Sequence, residues 1–242
     1  MKVGIIGTGN MGSILIEAFI LSNSVLTENM NIYNRTRTKA QTIKDQYPNI
    51  TICNSEVELA QNSDLLFVCV KPGEMHHVLK TIAKHLSTEK CVVSITSPIS
   101  VTQLEFTLPC QTARLIPSIT NKVLTGVSLI TFGENCSEQW REKIRQLASN
   151  ISEAIEIDNT ITRVSSDIVS CGPAFFSYLA QQFINGAVNE TGIDRRTATI
   201  LTEKMLIGLG DLLKSGHYSL PTLQEKVCVK GGITGEGIAV FD

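Results

Sequence analysis

Short apolar runs alternate with longer amphipathic stretches over roughly the first two thirds of the chain, and the alternation stops near residue 160. Eight runs read as strands: 2–6, 31–34, 50–53, 65–70, 91–95, 113–116, 127–132 and 154–157. Several, such as LLFVCV at 65–70, are apolar at every position, the pattern of strands covered on both faces of a sheet. The stretches between the early strands carry apolar residues at helical spacing, so the pattern predicts a mostly parallel, doubly wound α/β sheet with right-handed crossovers.

Beyond about Thr160 the periodicity becomes helical throughout. Gly172-Pro173 opens one helix that runs to Gly192, with proline suited to the first turn and glycine to the cap. Asp194 is placed to cap a second, which carries Ala198, Leu201, Met205, Leu209 and Leu212 on one stripe and ends near Gly216. A third starts around Pro221, breaks at Gly231-Gly232 and resumes as a last short segment. The expected organisation is a dinucleotide-binding domain over 1–159 and an all-α domain over 160–242.

With 242 residues, 43% of them hydrophobic, the chain is long enough for two modest cores. Twenty-one basic residues against 23 acidic ones, with no block of five or more like charges, argue against nucleic acid or an anionic membrane surface as partner. The apolar stretch at 14–21 is interrupted by Glu17 and is too short to span a bilayer, and no basic region precedes the first strand. A cytoplasmic location is therefore expected. Seven cysteines, none in a C-x-x-C pair, suggest reduced thiols; the adjacent His76 and His77 suit a solvated helix face, and no metal site is expected.

The candidate chemistry begins at once. Gly7-Thr8-Gly9-Asn10-Met11-Gly12 is a G-x-G-x-x-G turn between the first strand and a helical segment, the context that dinucleotide binding requires. The first glycine permits the turn, the second admits a pyrophosphate, and the third lets helix and strand pack closely, leaving the anion on the helix N-terminus. After the second strand comes Asn34-Arg35-Thr36-Arg37, with no carboxylate before Asp45, so the pocket suits the 2′-phosphate of NADPH; a solvated turn is the alternative. Val70-Lys71-Pro72 closes the fourth strand at the carboxyl edge, where open α/β sheets bind ligands, although Lys71 equally suits a charge flanking a helix.

GIIGTGNMG, NRT, VCVKP, RLIPS, SCGPAFF and above all VCVKGGITGEGIAVFD resemble pyrroline-5-carboxylate reductase over nearly the whole chain. The resemblance implies a Rossmann domain followed by an all-α dimerisation domain, with the active site between the cofactor and the helices of a homodimer or higher homo-oligomer. It also implies NADPH-dependent reduction of the cyclic imino acid Δ1-pyrroline-5-carboxylate to L-proline without a metal, a step of proline biosynthesis. By the same similarity Gly231, Gly232 and Thr234 form the substrate loop: backbone N–H groups meet the carboxylate, and Thr234, the candidate catalytic residue, offers its hydroxyl to the ring nitrogen. An interhelical break with Thr234 as N-cap is the alternative reading.

Departures from the family pattern cluster where the site is expected. Ile116-Pro117-Ser118-Ile119-Thr120 stands for Met-Pro-Asn-Thr-Pro, Val229-Lys230-Gly231-Gly232 for Ser-Pro-Gly-Gly, and Thr96-Ser97-Pro98 for Ala-Ala-Gly. In this the chain resembles the divergent late-competence (ComER-type) branch, for which a catalytically weak or inactive NADP-binding paralogue with a regulatory role is the alternative. The sequence stops inside the helix after the glycine loop, where family members run on, which marks the helical domain as a candidate for C-terminal truncation. β-Hydroxyacid dehydrogenases share the N-terminal features, but their chemistry uses a Gly-x-x-x-Lys segment on the helix opening the second domain, and no lysine occurs here between Cys171 and Lys204.

Overall fold

The computed structural model describes residues 1–241. They form two compact units, Met1–Ala174 and Phe175 onward. The division falls after the change of periodicity at 159/160, because Asn159, Val169 and Ser170 are hydrogen-bonded to Arg114, Ser118 and Pro117 of the first unit.

In the first unit the elements alternate as β1 (Val3–Ile6), α1 (Asn10–Leu21), β2 (Met30–Tyr33), α2 (Arg37–Gln46), β3 (Thr51–Ile52), α3 (Glu56–Asn62), β4 (Leu65–Val68), α4 (Pro72–Ala83), β5 (Cys91–Ser94), α5 (Val101–Thr107), β6 (Gln111–Ile116), β7 (Val127–Phe132), α6 (Glu138–Ser149) and β8 (Glu153–Glu156). All eight expected strands exist, with ends shifted by a residue or two. They make one sheet in the order β3-β2-β1-β4-β5-β6-β7-β8. Every pairing is parallel except β6 with β7, whose connection is short enough to turn the chain back on itself.

The apolar strands divide their side chains between two cores, as a period of two dictates. Ile5, Phe67 and Val93 pack with Leu15 and Phe19 of α1 and Trp140 and Ile144 of α6 on one face. Ile6, Leu66 and Val92 pack with Leu59 of α3, Met75 and Ile82 of α4 and Leu104 of α5 on the other. The sheet is thus covered on both sides, and its carboxyl edge at β1, β2 and β4 is where loops are free to form a site.

A short helix α7 (Thr162–Ser166) continues through a π-helical turn (Asp167–Cys171) into α8 (Gly172–Glu190). In the second unit α9 (Arg195–Lys214), α10 (Leu220–Val227) and α11 (Ile233–Ala239) follow. Asp194 caps α9 as expected, accepting from the Thr197 N–H, and Gly216 ends it with a φ of +71°. The expected apolar stripe of α9 is covered only in part. Ala198 is buried, whereas Leu201 and Met205 are exposed. No helix among the described residues is long and apolar enough to cross a membrane.

Candidate functional site

Gly7, Thr8, Gly9, Asn10, Met11 and Gly12 form the turn from β1 into α1. Gly7 has a φ of +97°, a conformation that residues with a Cβ rarely adopt, and a Cβ there would lie 2.6 Å from the Cys69 carbonyl oxygen. A Cβ on Gly12 would lie 2.0 Å from the Gly7 carbonyl oxygen. Helix and strands therefore meet only because both side chains are absent. Gly9 differs: a Cβ there would meet nothing within 4 Å, so this glycine faces open space rather than protein.

Gly9 is also the N-cap of α1, and no side chain caps the helix and no acidic residue lies in its first turn. The helix consequently presents unpaired N–H groups and the positive end of its dipole. The Thr8 hydroxyl is buried and has no hydrogen-bond partner among the described residues. An uncapped helix end, an open glycine and an unpartnered hydroxyl at one turn fit the pyrophosphate of a dinucleotide.

Asn34 joins this turn to the loop after β2. Its Oδ1 accepts from the Thr8 N–H at 2.9 Å, and its Nδ2 donates to the Thr36 carbonyl at 3.0 Å. Arg35 is exposed and pairs with Glu74 of α4 at 2.8 Å, while Arg37 donates to Asn54. Thr36 occupies the N-cap position of α2 without using its side chain. Burial, and then the neighbouring Glu56 carboxylate, raise the Tyr33 phenol above its ordinary pKa.

Val70, Lys71 and Pro72 follow Cys69, whose thiol is pushed well above its usual value by burial alone. Lys71 is the N-cap residue of α4 and Pro72 opens the helix, a position that needs no N–H donor. The three expected cofactor segments thus gather at one edge of the first unit, since β2 and β4 flank β1.

Two polar groups whose partners the sequence does not reveal organise the neighbouring loops. Arg114 of β6 is 2% exposed, yet no carboxylate among the described residues pairs with it. Its guanidinium donates to the carbonyls of Ser97 and Ile99, to Thr131 Oγ1, to Asn159 Oδ1 at 2.7 Å and to Thr162 Oγ1. Burial lowers its pKa from the ordinary value. Ser118, also buried, donates to the Val169 carbonyl, and Ser170 donates back to the Pro117 carbonyl, each at 2.7 Å. The altered segments 96–98 and 116–120 are therefore tied to the interior. The RLIPS motif carried Arg114 and Ser118 in plain view, but nothing local marked their partners.

The second unit contains the glycine loop. Gly231 has a φ of +77°, and the Gly232 N–H donates to the Val229 carbonyl at 2.9 Å, closing a turn that requires glycine at its third position. The N-cap of α11 is Gly232, not Thr234. The capping alternative for Thr234 is corrected accordingly: the turn ends two residues earlier, and the threonine hydroxyl makes no hydrogen bond among the described residues.

Comparison with known proteins finds relatives for both halves of the chain. Residues 2–98 match the family described as NADP oxidoreductase coenzyme F420-dependent, and residues 160–242 match the pyrroline-5-carboxylate reductase dimerisation family. ComE operon protein 4 of Bacillus subtilis (strain 168) is 50% identical over 242 residues, covering 100% of this chain and 89% of that protein. Pyrroline-5-carboxylate reductase 3 of the same organism is 27% identical over 99% of this chain and 88% of its own length. Among solved structures, Plasmodium falciparum pyrroline carboxylate reductase with NADP bound superposes with a TM-score of 0.88 at 21% identity, over 99% of this chain and 88% of that one. The chain belongs to the pyrroline-5-carboxylate reductase family, with a Rossmann-type sheet followed by that family's dimerisation domain.

Proposed function

We propose that the protein is a cytoplasmic NADPH-dependent oxidoreductase that reduces a cyclic imino acid of the Δ1-pyrroline-5-carboxylate type to the L-proline-type product. The observation that carries this reading is the glycine turn, whose two sterically obligatory glycines frame one that opens onto empty space. When bound, NADPH supplies the hydride that the imine carbon accepts.

The chain's own residues bind and orient. The first-turn N–H groups of α1 and the Thr8 hydroxyl hold the pyrophosphate, Asn34 keeps the turn in register, and Arg35 and Thr36 receive the 2′-phosphate. Val70, Lys71 and Pro72 border the cofactor site. In the substrate loop, Gly231 and Gly232 direct N–H groups at the substrate carboxylate, and the uncommitted Thr234 hydroxyl serves the ring nitrogen. The exposed Phe176, Phe183, Leu201 and Met205 support a homodimer or higher homo-oligomer, since so much apolar surface is unfavourable in water.

A second reading, an NADP-binding paralogue with weak or no turnover and a competence-linked regulatory role, is favoured by Ser118. Where the family offers an asparagine amide, this chain has a buried serine whose hydroxyl is spent on the Val169 carbonyl.

The test is NADPH oxidation with Δ1-pyrroline-5-carboxylate, with NADPH binding measured on the same sample. Turnover near the typical enzyme scale of ~10 per second supports the reductase. Binding without turnover supports the paralogue, and failure to bind NADPH defeats both. Within the first reading, Thr234→Val lowers turnover and leaves NADPH affinity intact.

A further inference from the structure

Strands β2 and β4 lie on either side of β1, so the loops leaving their carboxyl ends stand on the two sides of the glycine turn. Among the described residues a single ion pair links them. Arg35, two residues beyond β2, holds Glu74, in the first turn of α4, with Nη1 to Oε1 at 2.8 Å. Neither side chain has another hydrogen-bond or ionic partner among the described residues, and Arg37, the other arginine of this loop, is committed to Asn54. The missing acidic residue at the end of β2 is thus replaced in space by one from a different crossover.

We propose that Glu74 sets the discrimination between NADPH and NADH, by occupying Arg35 as an internal substitute for the 2′-phosphate. This inference rests on the assignment of Arg35 to that phosphate. A cofactor bearing the phosphate must take the guanidinium from the carboxylate before it gains a charge-assisted bond of its own. A cofactor with a free 2′-hydroxyl leaves the pair intact and finds a carboxylate able to accept from it. Glu74 therefore narrows the preference for NADPH that Arg35 alone would give. The side chains are 83% and 42% exposed, so the pair is weak enough to open on binding.

The test is calorimetric titration of the full chain with NADPH and with NADH, for the unsubstituted protein, Glu74→Gln, Arg35→Ala and the double variant. Glu74→Gln raises the ratio of NADPH to NADH affinity roughly two- to fivefold, the range an exposed ion pair commands. In the Arg35→Ala background the same substitution produces a smaller gain, because no guanidinium remains to be released. An unchanged ratio in Glu74→Gln, or an equal gain in both backgrounds, overturns the inference while leaving NADPH binding in place. Binding of neither dinucleotide by the unsubstituted chain overturns the cofactor assignment and this inference with it.

Discussion

Ser118 and Val169 stand 51 positions apart in sequence and are joined by a hydrogen bond of 2.7 Å, from the serine hydroxyl to the valine carbonyl. Ser170 returns the bond to the Pro117 carbonyl at the same distance. The carbonyl of Val169 lies in the π-helical turn Asp167–Cys171, where the ordinary helical pairing is interrupted and acceptors need partners from outside the helix. The reciprocal bonds thus fix the loop after β6 against the stretch that leads into α8.

Ser118→Ala removes one of these bonds and leaves a part-buried acceptor without its donor. A loss of about 1–2 kcal/mol is expected, read as a melting temperature lower by about 2–6 °C in calorimetry. Ser170→Ala should cost a similar amount. Because the bonds are coupled, the double variant should lose less than the sum, and strict additivity would show that they act separately.

Arg114 is a buried cation neutralised by no carboxylate among the described residues, and its five hydrogen bonds reach three separate stretches of chain. Arg114→Met keeps much of the volume but orphans these acceptors, with an expected loss of about 3–5 kcal/mol in urea unfolding. Arg114→Lys restores the charge but cannot reproduce the planar fork, so it should recover only part of the loss. Full recovery by lysine would show that charge alone matters at this position.

The glycine turn separates fold from binding. Gly12→Ala places a Cβ 2.0 Å from the Gly7 carbonyl oxygen and should destabilise the first unit by about 1–3 kcal/mol. Gly9→Ala places one in open space and should change stability by less than about 0.5 kcal/mol. Its expected effect is on NADPH, weakened at least about tenfold by a methyl group in the path of the pyrophosphate. Thermal melts of both variants, with and without NADPH, distinguish the two roles.

Asp194 has its pKa lowered from the ordinary value of 3.8, first by the Thr197 hydroxyl and then by the Thr197 N–H. A depressed folded pKa means the contribution is present above the unfolded value and is lost as the pH falls through the folded one. Asp194→Ala should therefore destabilise α9 at neutral pH, and the difference from the unsubstituted protein should shrink at about pH 3, as protonation of the carboxylate begins to remove the cap's charge. Asp194→Asn should keep the cap and lose the pH dependence. Circular dichroism melts at the two pH values provide the comparison.

Much of the fold was legible because its signals are local. Continuous apolar runs such as Leu65–Val68 announce a strand buried on both faces, and the alternation of such runs with amphipathic stretches announces crossovers. Gly7 and Gly12 were readable for the same reason: a sharp turn and a close approach each demand a missing side chain. The capping alternative for Thr234 failed because local spacing cannot decide which residue of Gly232-Ile233-Thr234 ends the turn.

The sequence by itself determined the strand and helix complement, the glycine turn and the family resemblance, all of which depend on residues near one another along the chain. Only the tertiary structure decided that β7 runs antiparallel to β6, that Arg114 is buried among neutral acceptors, that Ser118 clasps Val169 and that Glu74 pairs with Arg35. These relationships join residues from different crossovers. The partner of a polar side chain is set by which strands become neighbours, and strand order is a property of the packed sheet rather than of any segment within it.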